Sequence, residues 1–155
     1  MNFKKVSINI FRIFLPLVVG TIIGLLVNST SGYDVLDKPL LSLPAIAFPI
    51  VWYIIYLLMG ISYYLFKKNT KDKEPLTTFI YYLQLFVNAL WSIIFFVWES
   101  RFFAIIWILL LLGLVIFLFI LFIRKVKISA YLLILYIIWL LFATYLTIGI
   151  YILNR

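Results

Sequence analysis

Residues 102–122 read FFAIIWILLLLGLVIFLFILF, a run with no charge and no alternation of apolar with polar positions. A helix needs about 20 mostly apolar residues to cross the hydrocarbon of a bilayer. The chain has five charge-free windows of at least that length, at 13–33, 39–66, 75–98, 102–123 and 128–154. A membrane barrel would alternate apolar and polar side chains along each strand, and these runs do not. In lipid, every backbone N–H and C=O must find its partner within the protein, which a helix does inside each segment. The sequence therefore predicts an all-α integral membrane bundle of five transmembrane helices, near 7–27, 46–66, 77–97, 102–123 and 129–152. Composition agrees: 67% of residues are hydrophobic and 12% charged, against about 45–50% and about 25% in soluble domains. With no internal repeat or low-complexity linker, residues 1–155 read as one domain.

The net charge of +8 would on its own suit nucleic acid, but its distribution does not. Lys4, Lys5 and Arg12 open the chain; Lys67, Lys68, Lys71 and Lys73 follow the second span; Arg124, Lys125 and Lys127 follow the fourth. A five-span topology puts all three groups on one side and leaves only Lys38, Arg101 and Arg155 on the other. This is the positive-inside pattern, and it predicts a cytoplasmic N-terminus and an external C-terminus. The basic segments are expected to set orientation and to touch anionic lipid rather than nucleic acid. A cleaved leader is not expected, because Arg12 interrupts the first apolar run and no A-x-A-like site follows. The sequon at Asn28 reads as a polar helix end next to the membrane.

Three connections are short or plainly charged. The first is neither. NSTSGYDVLDKPLLSLPA, from Asn28 to Ala45, is long beside the roughly 2–8 residues usual between bundle helices. It mixes Tyr33, Leu36, Leu40, Leu41 and Leu43 with Asp34, Asp37 and Lys38, and Pro39 and Pro44 stiffen it. Such a segment suits a lid over a binding site, or an interfacial stretch resting in the headgroups.

Several chemistries are excluded. The chain has no His and no Cys, so it offers no imidazole or thiolate to a metal or to a haem iron. It lacks the base of a Ser-His-Asp triad. No span window holds a charged residue, which argues against a proton relay or a charge-coupled carrier. What remains is aromatic and neutral-polar. Trp98 and Tyr151 sit near helix ends and fit an interfacial belt. Deeper positions form stripes at helical spacing: Trp52 with Tyr56; Asn88, Trp91 and Phe95; Trp139, Ala143 and Leu146. Gln84, Asn88 and Ser92 repeat every four residues in hydrocarbon. Amides there should face the bundle interior. Spacing alone permits two uses, an aromatic pocket with a few hydrogen-bonding groups or polar glue between helices, and it favours glue. Gly20 and Gly24 form a small-xxx-small pair suited to close packing, within the bundle or in a dimer. Leu146, Tyr151 and Arg155 match a weak sterol-contact pattern.

Three segments together resemble the TspO/MBR family, the tryptophan-rich sensory proteins and the mitochondrial translocator protein or peripheral-type benzodiazepine receptor. They are YDVLDKPLLSLPAIAFPIVWYIIYLLMG, NALWSIIFF and SAYLLILYIIWLLFATYL. The resemblance covers about Tyr33 to Leu146. It implies a homodimeric five-helix bundle whose first loop caps a pocket, set in a membrane, here a bacterial cytoplasmic one. It implies binding of protoporphyrin IX-like tetrapyrroles, some haem or sterol, and synthetic benzodiazepine-type ligands, with no required cofactor. Carried over by position, the ligand-binding set is Tyr33, Pro44, Trp52, Tyr56, Asn88, Trp91, Ser92, Phe95, Trp139, Ala143 and Leu146. Trp52 and Trp139 match positions tied to light-dependent porphyrin oxidation. Passive carriage of porphyrin or sterol-like solutes, or ligand sensing, are the alternatives. The chain also departs from the family pattern: Leu41 and Leu43 stand for a Trp and a Pro in the loop, Gly32 for a Trp, Trp107 for an acidic residue, and Leu135 for a Pro.

Overall fold

Pro75 fixes where the third span begins. It occupies the first helical turn, where its missing N–H costs nothing and its fixed φ suits the helix. The second span ends four residues earlier, at a Lys71 in the left-handed conformation whose N–H returns to the Lys67 carbonyl, and Lys67 and Lys68 lie where the helix dipole favours cations. The computed structural model describes residues 3–27, 32–71 and 73–155, with side chains from Ser7 onward. The Asn28 sequon and the Lys4 and Lys5 side chains lie outside the described residues.

The elements are α1 (Phe3–Val27), α2 (Ala47–Thr70), α3 (Pro75–Ser92) continued by a π-helical turn (Ile93–Val97), α4 (Arg101–Ile123), α5 (Lys127–Leu132) and α6 (Ile134–Leu153). Five membrane-length apolar spans result, since α5 and α6 together make the last, Lys127–Leu153. The all-helical, five-span expectation holds. Neighbours are α1 with α2, α2 with α5, α5 and α6 with α4, α4 with α3, and α3 with α1. The spans therefore close a ring in the order first, second, fifth, fourth, third.

The fifth span was expected as one unbroken helix, and the structure divides it at Leu133. The Leu133 N–H bonds the Ala130 carbonyl at 2.9 Å, one residue short of helical register. That releases the Ser129 carbonyl, and Ser62 of α2 donates its hydroxyl to it at 2.6 Å. A backbone group in lipid must be satisfied by the protein itself, so Ser62 is what makes the break tolerable. The third span differs too. Trp98 N–H reaches the Ile93 carbonyl five residues back, at 3.0 Å. This wider turn rotates the end of α3 and brings adjacent Phe95 and Phe96 both toward the bundle.

Lipid gives no hydrophobic drive to helix association, so close fit must supply it. A Cβ on Gly60 would lie 1.9 Å from the Ile13 carbonyl oxygen, and one on Gly20 would lie 2.2 Å from the Tyr56 ring. These two glycines let α1 and α2 touch. Gly24, one turn further, has nothing within 4 Å among the described residues. Stacked rings fill the basic end: Tyr63 on Tyr81 at 3.8 Å and Phe66 on Phe122 at 4.3 Å. Lys125 pairs there with Glu74, tying the α4–α5 connection to the start of α3.

Candidate functional site

The loop before α2 is held down on the end of α6. Asn154 makes a two-bond clasp with Asp37: Asp37 N–H donates to Asn154 Oδ1 at 3.0 Å, and Asn154 Nδ2 donates to the Asp37 carbonyl at 2.8 Å. Tyr145 donates to the Leu40 carbonyl. Pro39 lies so close to Gly149 that a Cβ there would meet it at 2.6 Å. Leu41 takes a φ of 69° in this loop, a conformation L-residues seldom adopt.

Tyr33 turns inward from the loop and is buried. Its phenol donates to the Leu43 carbonyl at 3.2 Å. Burial, and secondarily the charge of Asp34, holds this phenol above its ordinary range, so it stays a donor. Its ring meets Phe48 edge-on at 5.0 Å, Phe48 meets Trp139 at 5.8 Å, and Trp139 meets Trp52 at 6.2 Å. Trp52 also contacts Tyr56, Trp91 and Tyr136, at 5.5, 6.3 and 6.2 Å. Trp91 stacks on Phe95 at 5.4 Å. One continuous aromatic wall thus runs from the loop to mid-bundle, with Trp52 at its centre.

Behind the wall lies a polar chain. Tyr56 donates to Asn88 Oδ1 at 2.6 Å, Asn88 Nδ2 donates to Tyr136 Oη at 2.6 Å, Tyr136 donates to Gln84 Oε1 at 3.1 Å, and Gln84 Nε2 reaches Met59 Sδ at 3.2 Å. Both amides are wholly buried. Two buried indoles of the wall differ from Trp107 in their hydrogen bonding. Trp107 Nε1 donates to the Val87 carbonyl at 3.0 Å, joining α4 to α3. Trp91 and Trp139 are 3% and 7% exposed, and their Nε1 atoms have no acceptor among the described residues. Leaving a buried donor unmet costs about 1–3 kcal/mol.

Two spaces adjoin the wall. Tyr33, Trp91, Phe95, Ala143 and Leu146 face a narrow seam of about 10 Å³. Trp52, Tyr56 and Ser92 line a cleft of about 210 Å³ between α1 and α2, with Gly20, Gly24 and Tyr53. Trp139 stands between Phe48 and Trp52. Asn88 lies in the polar chain, with both ends of its amide engaged by tyrosines. Pro44 is exposed and accepts the Ala47 N–H at 2.9 Å, starting α2, and it lines neither space.

Sequence reasoning passed over Phe48, Phe96 and Tyr136. Phe48 is four residues before Trp52 and Tyr136 three before Trp139, so their stripes did carry the signal. Phe96 enters only through the π turn, which the spacing does not announce. Phe48 and Phe96 line the cleft and the seam alike, so they are the partition between them.

No curated protein matches the chain at a significant level. The sequence pattern of the TspO/MBR family matches residues 12–153, which takes in every element that walls the seam and the cleft, and this five-span membrane protein belongs to that family.

Proposed function

We propose that the protein binds a protoporphyrin IX-like tetrapyrrole in the aromatic seam, beneath the first loop. Family membership supports a ligand-binding membrane protein in general terms. The observation that carries the finer reading is the pair of buried indoles, Trp91 in the seam wall and Trp139 beside Phe48, both in contact with Trp52, whose N–H groups have no acceptor among the described residues. Flat ligands stack on such rings, and acceptor atoms on the ligand would meet the two donors. Ligand pockets are usually about 300–1,000 Å³, so the seam must widen on binding. The phenol of Tyr33 is a further polar contact in this reading, while Asn88 supports the wall from behind and Ser92 faces the adjoining cleft. We place the basic end and the N-terminus in the cytoplasm, by the positive-inside pattern, and take the protein to be a homodimer.

Titration of purified protein with protoporphyrin, followed by tryptophan quenching, tests this. Trp91→Phe and Trp139→Phe remove the donor and part of the stacking surface while keeping an aromatic face, and should each weaken binding by about tenfold, the equivalent of about 1.4 kcal/mol. Trp91→Ala and Trp139→Ala should weaken it further. Unchanged affinity in both alanine variants removes the seam as the site.

A second reading is light-dependent oxidation of the bound porphyrin by dioxygen. It is favoured by the edge-on contact of Trp52 with Trp139 at 6.2 Å, which sets two oxidisable indoles together in the wall.

A further inference from the structure

We propose that the ligand reaches the seam sideways from the bilayer, through the cleft between α1 and α2, with Phe48 and Phe96 as the movable partition. The proposal rests on the reading that the seam is the ligand site.

The two faces of the seam differ in how firmly they are closed. On the loop side there are three fastenings to α6: the Asp37–Asn154 clasp, the Tyr145 bond to Leu40, and Pro39 seated on Gly149. Tyr33 plugs the space beneath them and is bonded to its own loop. Opening that side breaks several hydrogen bonds at once. On the bilayer side, about 210 Å³ is already open. Its lining is mostly apolar, with Leu25 79% exposed, and the one bond across it among the described residues, from the Thr21 hydroxyl to the Tyr53 phenol at 3.4 Å, is longer than those that hold the loop. Gly24 lines this cleft and has no neighbour among the described residues where a side chain would stand. Gly20 marks the floor, where the Tyr56 ring closes it.

Among the described residues, only Phe48 and Phe96 line both spaces. Both are half-buried and meet their neighbours edge-on, Phe48 with Tyr33 and Trp139, Phe96 with Trp91 at 6.2 Å. No hydrogen bond is lost when such rings turn. Phe96 also sits on the π turn, a departure from α-helical register that often marks a working site. The solute admitted this way is one that dissolves in hydrocarbon, flat and largely apolar, with its acceptors carried at the edge.

The test uses full-length protein in lipid nanodiscs and protoporphyrin as the probe. Gly24→Phe fills open space, and its thermal midpoint should match wild type. Stopped-flow tryptophan quenching should then show association and dissociation both slowed by about tenfold with Kd unchanged, as for a narrowed passage. Gly24→Leu should fall between. Asn154→Ala, which opens the clasp, should leave both rates as in wild type. Unchanged rates in Gly24→Phe, or faster rates in Asn154→Ala, overturn the lateral route while leaving the seam as the site. A weaker Kd with unchanged association in Gly24→Phe overturns it too, because the cleft would then be the site itself. Failure of wild type to bind in equilibrium titration overturns the seam reading and the route together.

Discussion

The phenol of Tyr56 and the side-chain carbonyl of Asn88 are 2.6 Å apart across the α2–α3 boundary, and this bond answers why an amide stands in mid-bilayer. Asn88 is spent at both ends, since its Nδ2 reaches Tyr136 on α6. Three helices are joined through one side chain. Tyr56 in turn has its ring against Gly20 and stacked with Trp52. The polar chain thus holds the aromatic wall in place.

Asn88→Leu should therefore destabilise the fold. It leaves the Tyr56 and Tyr136 hydroxyls short of partners, at about 1–3 kcal/mol for a stranded buried group, towards the lower end because hydrogen bonds within membranes average about 0.6 kcal/mol. The double variant Asn88→Leu, Tyr56→Phe should recover part of the loss, because the Tyr136 hydroxyl still donates to Gln84 and no stranded hydroxyl remains. Thermal midpoints in detergent measure both. An Asn88→Leu protein as stable as wild type would show that the amide does not act as a joint.

The two helix-contact glycines on either side of the α1–α2 crossing should respond unlike Gly24. Gly60→Ala places a carbon 1.9 Å from the backbone carbonyl oxygen of Ile13, and backbone cannot swing aside. The helices must separate, and a loss of about 2 kcal/mol or more is expected, in the range of overpacked cores. Gly24→Ala meets nothing and should be neutral or slightly stabilising, since Ala is the better helix former by about 1 kcal/mol. A pair of thermal melts separates the two. Equal effects would mean that the α1–α2 contact is looser than the structure has it.

Why the spans were legible and parts of the site were not follows from what each depends on. A charge-free window of helical length has one stable arrangement in lipid, so 102–123 and its four counterparts were readable from residue type alone. The stripes Trp52–Tyr56 and Trp139–Ala143–Leu146 were readable because helical spacing fixes a face. Asn88 was ambiguous because a pocket amide and a joining amide obey the same rule, to face inward; only its partners, Tyr56 and Tyr136, distinguish them. The break at Leu133 depends on Ser62 of another helix, and no local pattern carries it. Phe96 was hidden by the π turn, which breaks the helical count on which the reading relied.

The Asn154 clasp should be visible in hydrogen exchange. The Asp37 amide has Asn154 Oδ1 as its acceptor. Asn154→Ala removes that acceptor, and Asp37 should exchange faster by about tenfold or more, with the core helices unaffected. Tyr33 adds a pH dependence of known sign. Its phenol is raised in the folded state by burial and by Asp34, so the folded loop favours the protonated form. Its contribution is present in full below the ordinary tyrosine value of about 10 and is lost as pH rises through the raised value. Loop protection should stay flat from neutral pH to that point and then fall, and Tyr33→Phe should abolish the fall. A decline beginning near neutrality would place the sensitive group elsewhere.

If the bound porphyrin is oxidised in light, the indoles in the wall decide how. Trp52 meets Trp91, Trp139, Tyr56 and Tyr136, all within 6.3 Å, so an excited ligand stacked against this wall has three easily oxidised indoles beside it, Trp91 in the seam itself and Trp52 and Trp139 in contact with each other. Phenylalanine keeps the aromatic shape but resists oxidation. Under illumination in air, wild type should bleach the porphyrin absorption band faster than the Trp52→Phe, Trp139→Phe double variant, with both loaded to the same occupancy. In the dark, or with dioxygen removed, neither should bleach. Equal bleaching by both proteins in illuminated air would make the reaction the porphyrin's own, with the protein serving only to hold it.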